Sequence, residues 1–240
     1  PTGELRLDIF TPQGNDHSKP FVIRLCGGGW QTGGKGNVFG RLKWLLEKNI
    51  SIGGMSYRPS NEVVFPGAVE DVIDGIHYVV QNHKKFGINP DQIFLSGDSA
   101  GAHLAMLSGL WLTNPALSET YFPVSIKGII AISLPEDLET NNAIFDKVVT
   151  FLGKSPAEIP DKAQRASPLH ALHTNMPSML LFMGDCDPLF PIDRIRHFHK
   201  KVLSLGGNSE LHVMKNVGHE LGPFLNSPAN QQLISSFVLR

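Results

Sequence analysis

Residues 95 to 104 read Leu-Ser-Gly-Asp-Ser-Ala-Gly-Ala-His-Leu, and Ser99 within them is the side chain whose setting points most directly to chemistry. A serine hydroxyl is a poor nucleophile at neutral pH unless it is held exposed and a neighbouring base takes its proton. Residues 91 to 95, opened by Asn89-Pro90, form an apolar run that reads as a buried strand, while Ala100, Leu104, Ala105 and Leu107 continue at helical spacing. Ser99 therefore sits where strand becomes helix. So sharp a turn brings the backbone two residues before the serine against the backbone two residues after it, and Gly97 and Gly101 occupy those places. This is G-x-S-x-G in the strand-turn-helix context that makes it a nucleophile elbow. Ser96, at the strand end, lacks that setting.

The elements that must position such a serine follow from hydrophobic patterning. Strand-like runs recur at 5–10, 20–25, 50–55, 92–96, 126–133, 178–183 and 210–214. Helical patterns lie at 38–48, 67–86, 100–112, 192–205 and 228–238. Strands alternating with helices of this length predict an α/β fold with a mostly parallel central sheet covered by helices on both faces. Residues 1–240 read as one domain, with no repeat and no low-complexity tract. A small cap insertion, 134–177, rich in Pro, Asn and Asp, is expected after the sixth predicted strand, with a short amphipathic piece at 143–152.

Functional residues of a parallel α/β sheet gather beyond the carboxyl ends of its strands. After 20–25 come Cys26, Gly27, Gly28, Gly29 and Trp30, whose glycines let backbone N–H groups turn to one point with no side chain in the way, as an oxyanion hole needs. After 178–183, Asp185 and Asp187 place two carboxylates at a strand end; after 210–214, His219 places an imidazole there.

These stretches together, GDSAGAHLA, CGGGW, Tyr57-Arg58, FPGAVEDV (65–72), ASPLHAL (166–172), GDCDPLFP (184–191) and VGHE (217–220), resemble an α/β-hydrolase carboxylesterase of the hormone-sensitive-lipase-like and feruloyl-esterase-like group over nearly the whole chain. The order Ser99, Asp187, His219 is the order in which α/β-hydrolases supply a triad. The resemblance implies Ser99 as nucleophile, His219 as base and Asp187 as orienting acid. It implies the amides of Gly28, Gly29 and Ala100 as the oxyanion hole. Asp185 competes with Asp187 and is read as a cap. The chain departs from the group at Cys26 and Met183, where histidine is usual, and at Ala102, where glycine is usual. None of the three is a triad member.

Other groups have simpler readings. His103, four residues beyond Ser99 on the helix, is expected to pack or cap. His77, His83, His197 and His199 fall in helical patterns, and Asp98 is expected to point away from the turn as a structural acceptor. Arg58 and Asp71 are expected to form a buried pair. No H-E-x-x-H, clustered cysteine or nucleotide-binding glycine pattern occurs, so neither a metal nor a cofactor is implied. The formal charge of −1 gives no electrostatic reason to expect nucleic acid, and no apolar run approaches the ~18 residues of a membrane span. The first residues carry no signal pattern, but the chain begins at Pro1 and a leader or N-terminal segment could precede it, so the location stays open; two cysteines that form no framework favour a soluble protein of a reducing compartment such as the cytoplasm. Cys26 and Cys186 follow strands that, in the order the resemblance implies, have two others between them. They lie roughly 14 Å apart, beyond the ~7 Å a disulfide needs, so two free thiols are expected.

The function expected is hydrolysis of carboxylic esters through an acyl-enzyme, on small-molecule substrates. The modest insertion and the short segment before the first strand point to an open pocket for short acyl chains. Amide cleavage of the aryl-formamidase kind is the alternative within enzymes, and a non-catalytic ligand-binding protein of the same fold is the alternative outside them.

Overall fold

The computed structural model describes residues 4–13, 19–139 and 143–240. One seven-stranded sheet runs through them: β1 (Leu7–Phe10), β2 (Phe21–Leu25), β3 (Ser51–Met55), β4 (Ile93–Asp98), β5 (Ile126–Ile132), β6 (Ser178–Gly184) and β7 (Ser209–Met214). Their order across the sheet is β1-β3-β2-β4-β5-β6-β7, with β1 antiparallel to β3 and every other pairing parallel. The helices are α1 (Val38–Leu46), α2 (Gly67–Gln81), α3 (His83–Phe86), α4 (Ala100–Thr113), α5 (Phe145–Leu152), α6 (Pro160–Arg165), α7 (Ile192–Ser204), α8 (Gly222–Asn226) and α9 (Pro228–Val238).

A parallel sheet covered on both faces needs strands that are apolar throughout, because successive side chains point to opposite faces. Phe21, Ile23, Leu95, Ile129 and Leu181 face one core, where α2, α4 and α7 bring Val72, Ile76, Leu107 and Phe198. Val22, Phe94, Ile130, Leu180 and Phe182 face the other, under Leu42 and Leu45 of α1 and Ile234 and Phe237 of α9. Helix α4 is buried from Ala100 to Leu112 and has no polar face. The helix that follows Ser99 is thus the best-anchored one in the molecule.

Two expectations need correction. The 134–177 stretch lies between β5 and β6, so it follows the fifth strand, not the sixth. It holds α5, which buries Val148, Phe151 and Leu152, and α6. The helix expected over 67–86 breaks at Asn82, whose backbone leaves helical geometry while its side-chain amide donates to the Tyr78 carbonyl at 2.8 Å. An asparagine that bonds a local carbonyl competes with the helix ladder, which is why the pattern continued and the helix did not.

The strand order also decides the cysteines. Cys26 follows β2 and Cys186 lies beyond β6, with β4 and β5 between those strands, and both thiols are free. Cys186 is exposed and Cys26 half-buried; burial pushes the Cys26 thiol up. We expect an aromatic disulfide reagent to titrate two thiols, Cys186 first, with Cys186→Ser removing the faster phase. A fast phase that survives this substitution, or a Cys26–Cys186 crosslinked peptide in a non-reducing digest, contradicts the arrangement.

Candidate active site

Ser99 has φ 51° and ψ −123°, a backbone conformation that costs a non-glycine residue about 1–3 kcal/mol. Its own backbone helps to hold it: the Ser99 N–H donates to Ile132 O at 2.9 Å and its carbonyl accepts from His103 N–H at 3.0 Å. The glycines expected to permit the turn do so. A Cβ on Gly97 would stand 2.3 Å from the Gly101 carbonyl carbon. A Cβ on Gly101 would stand 2.2 Å from Leu25 O, so this glycine is required by the end of β2 rather than by Gly97.

Three consecutive positive φ values, at Gly28 (119°), Gly29 (60°) and Trp30 (60°), turn the chain sharply after β2. Thr32 Oγ1 donates to Gly27 O at 3.0 Å and Tyr57 Oη donates to Cys26 O at 2.8 Å, so backbone acceptors on either side of the Cys26-Gly27 step are tied down. Trp30 tolerates its backbone because its ring is clamped. It stacks on Phe151 of α5 with centroids 4.7 Å apart, and its Nε1–H donates to His103 Nδ1 at 3.2 Å. Among the described residues, the backbone N–H groups of Gly28, Gly29 and Ala100 donate no hydrogen bond. Ala100 opens α4, where unpaired N–H groups and the helix dipole favour negative charge.

His219 follows β7, and its Nδ1 lies 2.7 Å from Asp187 Oδ2. A carboxylate only accepts, so Nδ1 carries a proton, and in the neutral imidazole Nε2 keeps its lone pair. The Asp187 side chain is fully buried. Oδ1 accepts from the Leu189 and Phe190 amides at 2.9 and 3.2 Å, a local cap that the sequence Asp-Pro-Leu-Phe allows. Burial on its own raises the Asp187 carboxyl, but the hydrogen bonds from His219 and these amides outweigh it and hold the carboxyl below its ordinary range. Phe190 sets its ring edge-on to His219 at 5.2 Å. Asp185 has a different job: Oδ1 accepts from Asn216 N–H at 2.6 Å, bracing the loop that carries His219. Gly184 serves the same loop, since a Cβ there would meet Val217 O at 2.1 Å.

Ser99, His219, Gly28 and Gly29 line one cavity of about 190 Å³. Ile132, Ile144, Leu189 and Leu221 add apolar walls. Ser99 and His219 share this cavity without a hydrogen bond between them among the described residues. Ala100 is buried and does not line it. Sequence reasoning missed Ile144, just before α5, and Lys147 of α5 as lining groups; only the amphipathic piece at 143–152 hinted at them.

His103, Asp98, Arg58 and Asp71 have structural partners, although Asp98 also lines the cavity. His103 is fully buried between Trp30 and the Ala166 carbonyl, to which its Nε2–H donates at 2.7 Å. Asp98 accepts from Arg24 Nη2 at 2.5 Å and so ties the end of β4 to β2. Arg58 grips Asp71 with both Nε and Nη2, although the arginine is about one-third exposed and only Asp71 is buried. Asp137, Glu139 and His170 bring ligand atoms within 4.8 Å of one another, yet His170 pairs with Glu139 and Asp137 with Arg194, and none of them lines the cavity.

Residues 7–202 match the family profile described as BD-FAE. The isoprenylcysteine alpha-carbonyl methylesterase ICME of Arabidopsis thaliana is 26% identical over 229 residues, which cover 89% of this chain and 53% of that protein. The esterase LipQ of Mycobacterium tuberculosis is 25% identical over 232 residues, 91% of this chain and 55% of the relative. The chain thus spans about half the length of these curated relatives. Among solved structures, a butyrate-bound thermophilic esterase, Est2, of Thermogutta terrifontis superposes with TM-score 0.81 at 22% identity, covering 98% of this chain and 89% of that one. The architecture is the α/β-hydrolase fold. No helix among the described residues is long and apolar enough to cross a membrane.

Burial pulls the His103 imidazole down to about 4, against the opposing hydrogen bond to Ala166. The unfolded chain binds that proton near the ordinary histidine value of about 6.5, so between these values the unfolded state holds the extra proton and stability falls as pH falls. Asp187, whose carboxyl is depressed, adds a loss at lower pH, through the carboxylate range. We expect His103→Gln, which keeps an acceptor for Trp30 and a donor for Ala166, to be less stable at pH 7.5 yet to decline less steeply from pH 6.5 to 4. Urea midpoints across that range check it; an unchanged slope would show that His103 does not titrate on unfolding.

Proposed function

We propose that this chain, which belongs to the BD-FAE family, is a serine hydrolase that cleaves short-chain carboxylic esters through an acyl-enzyme. The observation that carries the reading is the meeting of three loops at one cavity: the elbow with Ser99, the glycine turn with unspent amides, and His219 oriented by buried Asp187.

Ser99 is the nucleophile. As its Oγ attacks the ester carbonyl carbon, His219 Nε2 takes the hydroxyl proton, and Asp187 stabilises the imidazolium through the Nδ1–H bond. The carbonyl oxygen becomes an oxyanion that the N–H groups of Gly28, Gly29 and Ala100 stabilise. Collapse expels the alcohol, which takes the proton back from His219. Water then attacks the acyl-Ser99 ester with His219 again as base, and the second collapse frees the acid. Donors that are already aimed and carry no other partner lose nothing at the moment of reaction. The Ser99–His219 hydrogen bond forms as substrate closes the gap, as catalytic contacts commonly do.

The small cavity and its apolar walls support acyl groups of a few carbons. Residues 134–177 serve as its cap, through Ile144 of that stretch, and the chain works as one catalytic domain. ICME and LipQ are named esterases, and several structures of the Thermogutta esterase carry organophosphorus adducts, as expected for a family that uses an activated serine.

A series of p-nitrophenyl esters from acetate to palmitate, run beside an aryl formamide, tests the reading. Turnover should be greatest for short chains and should fall on the order of 10⁴-fold in Ser99→Ala, with the fold retained. An organophosphate should leave its adduct on the Ser99 peptide. Ser99→Ala retaining a tenth of the activity removes Ser99 from the mechanism, and a preference for the formamide moves the assignment to amide cleavage. Asp187→Asn should cost far more rate than Asp185→Asn, because the first touches the imidazole and the second only its loop. Equal losses would contradict that division.

A further inference from the structure

We propose that Lys147 selects esters that carry a carboxylate within a few bonds of the reacting carbonyl, an inference that rests on the serine-hydrolase reading of the site. Four charged or ionisable side chains line the cavity: Asp98, Lys147, His219 and Glu220. Asp98 is paired with Arg24 and His219 with Asp187. The Glu220 carboxylate accepts from Gly218 N–H at 2.9 Å and opens to solvent. Lys147 alone among these has no hydrogen-bond or ion-pair partner among the described residues, whereas Lys35 pairs with Asp8 and Lys162 donates to the Leu152 carbonyl.

Its position is built. A Cβ on Gly29 would stand 2.6 Å from Lys147 Cδ and 3.2 Å from Cε, so the lysine stem lies directly on the proposed oxyanion glycine. The helix that presents it is fixed to the same turn. Phe151, one turn further along the same face of α5, stacks on Trp30, and the Phe151 carbonyl accepts from Phe65 N–H at 2.7 Å. Phe151 therefore meets the residue next to Gly29 while Lys147 meets Gly29 itself. A long cationic side chain commonly lays its methylenes on the protein and leaves its head in water, where it can bind an anion. Here the exposed lysine lines the cavity beside Gly29, so its head serves a substrate carboxylate placed near the reacting carbonyl.

Two matched pairs of esters test this: monomethyl succinate against methyl 4-methylpentanoate, and acetoxyacetate against isobutyl acetate, each pair equal in heavy atoms with an isopropyl group in place of the carboxylate. The readout is the ratio of kcat/KM values, charged over neutral, in wild type, Lys147→Met and Lys147→Arg. In at least one pair the ratio should fall about fivefold in Lys147→Met, recover in Lys147→Arg, and fall in wild type as salt is raised, because an exposed ion pair is worth little more than this and is screened. Ratios unchanged within twofold in both pairs, or lost equally in Lys147→Arg, overturn the proposal. If wild type turns over p-nitrophenyl acetate but none of the four esters, the serine-hydrolase reading stands and the question passes to binding; if it turns over none of the five, that reading fails. Monomethyl succinate titrated by NMR into Ser99→Ala should bind several-fold more tightly than into Ser99→Ala/Lys147→Met, and equal affinities overturn the role of Lys147.

Discussion

The turn through Ser99 exists only because backbones approach one another more closely than any side chain tolerates. Gly97 faces Gly101, and Gly101 faces Leu25 O at the end of β2, each with a Cβ position under 2.5 Å from the opposing backbone. The second contact matters beyond the turn itself. It seats the first turn of α4 on the very point where β2 gives way to the glycine turn, so Ser99 and the backbone N–H groups of Gly28 and Gly29 are positioned by one packing event. Around it, the carboxyl edge of the sheet is stitched strand to strand: Ser99 N–H to Ile132 O, Ser133 N–H to Phe182 O, and Asp185 N–H to Met214 O. Each bond joins a loop that carries part of the site to the neighbouring strand, and the spacing between those loops becomes the spacing of the sheet.

A second layer keeps the glycine turn from relaxing. Three residues in a row with positive φ would be a flexible loop if left in water, and glycines lose much entropy when ordered. Trp30 supplies the restraint, buried against Phe151 and bonded to His103, which in turn holds the Ala166 carbonyl. The restraint thus spans the glycine turn, the helix after Ser99 and the segment between β5 and β6. It also requires a neutral imidazole: a protonated His103 could not accept from Trp30, and the indole N–H would be left unpaired in the core. Cys26, where histidine is usual in the group this chain resembles, leaves the turn braced all the same, because its carbonyl and that of Gly27 are held by Tyr57 and Thr32.

Much of this was legible in residue order because its physics is local. The elbow could be read from Gly97 and Gly101 since close approach demands glycine wherever it occurs, and the strands could be read since a doubly covered parallel sheet needs continuous apolar runs. Reading went wrong where a local competitor acted without changing the pattern. Asn82 ended α2 within a helical periodicity that continued to residue 86. The reason for Gly101 was also misplaced: its opposing backbone comes from β2, which no spacing around Ser99 reveals.

The sequence by itself determined which residue types stand at the carboxyl ends of the strands, and therefore the α/β architecture and the candidates Ser99, Asp187 and His219, because strand periodicity and turn chemistry are written within a few neighbouring residues. It left Asp185 and Asp187 as competitors two positions apart, both acidic and both at the same strand end. The resemblance favoured Asp187, and the tertiary structure supplies the physical difference, aiming Asp187 at an imidazole brought by β7 and Asp185 at the Asn216 amide. The same holds for Lys147, unremarkable on an amphipathic helix until Phe151 docks on Trp30 and carries the lysine onto Gly29. Side chains far apart in the chain acquire partners only when packing chooses the neighbours, and that choice belongs to the core as a whole.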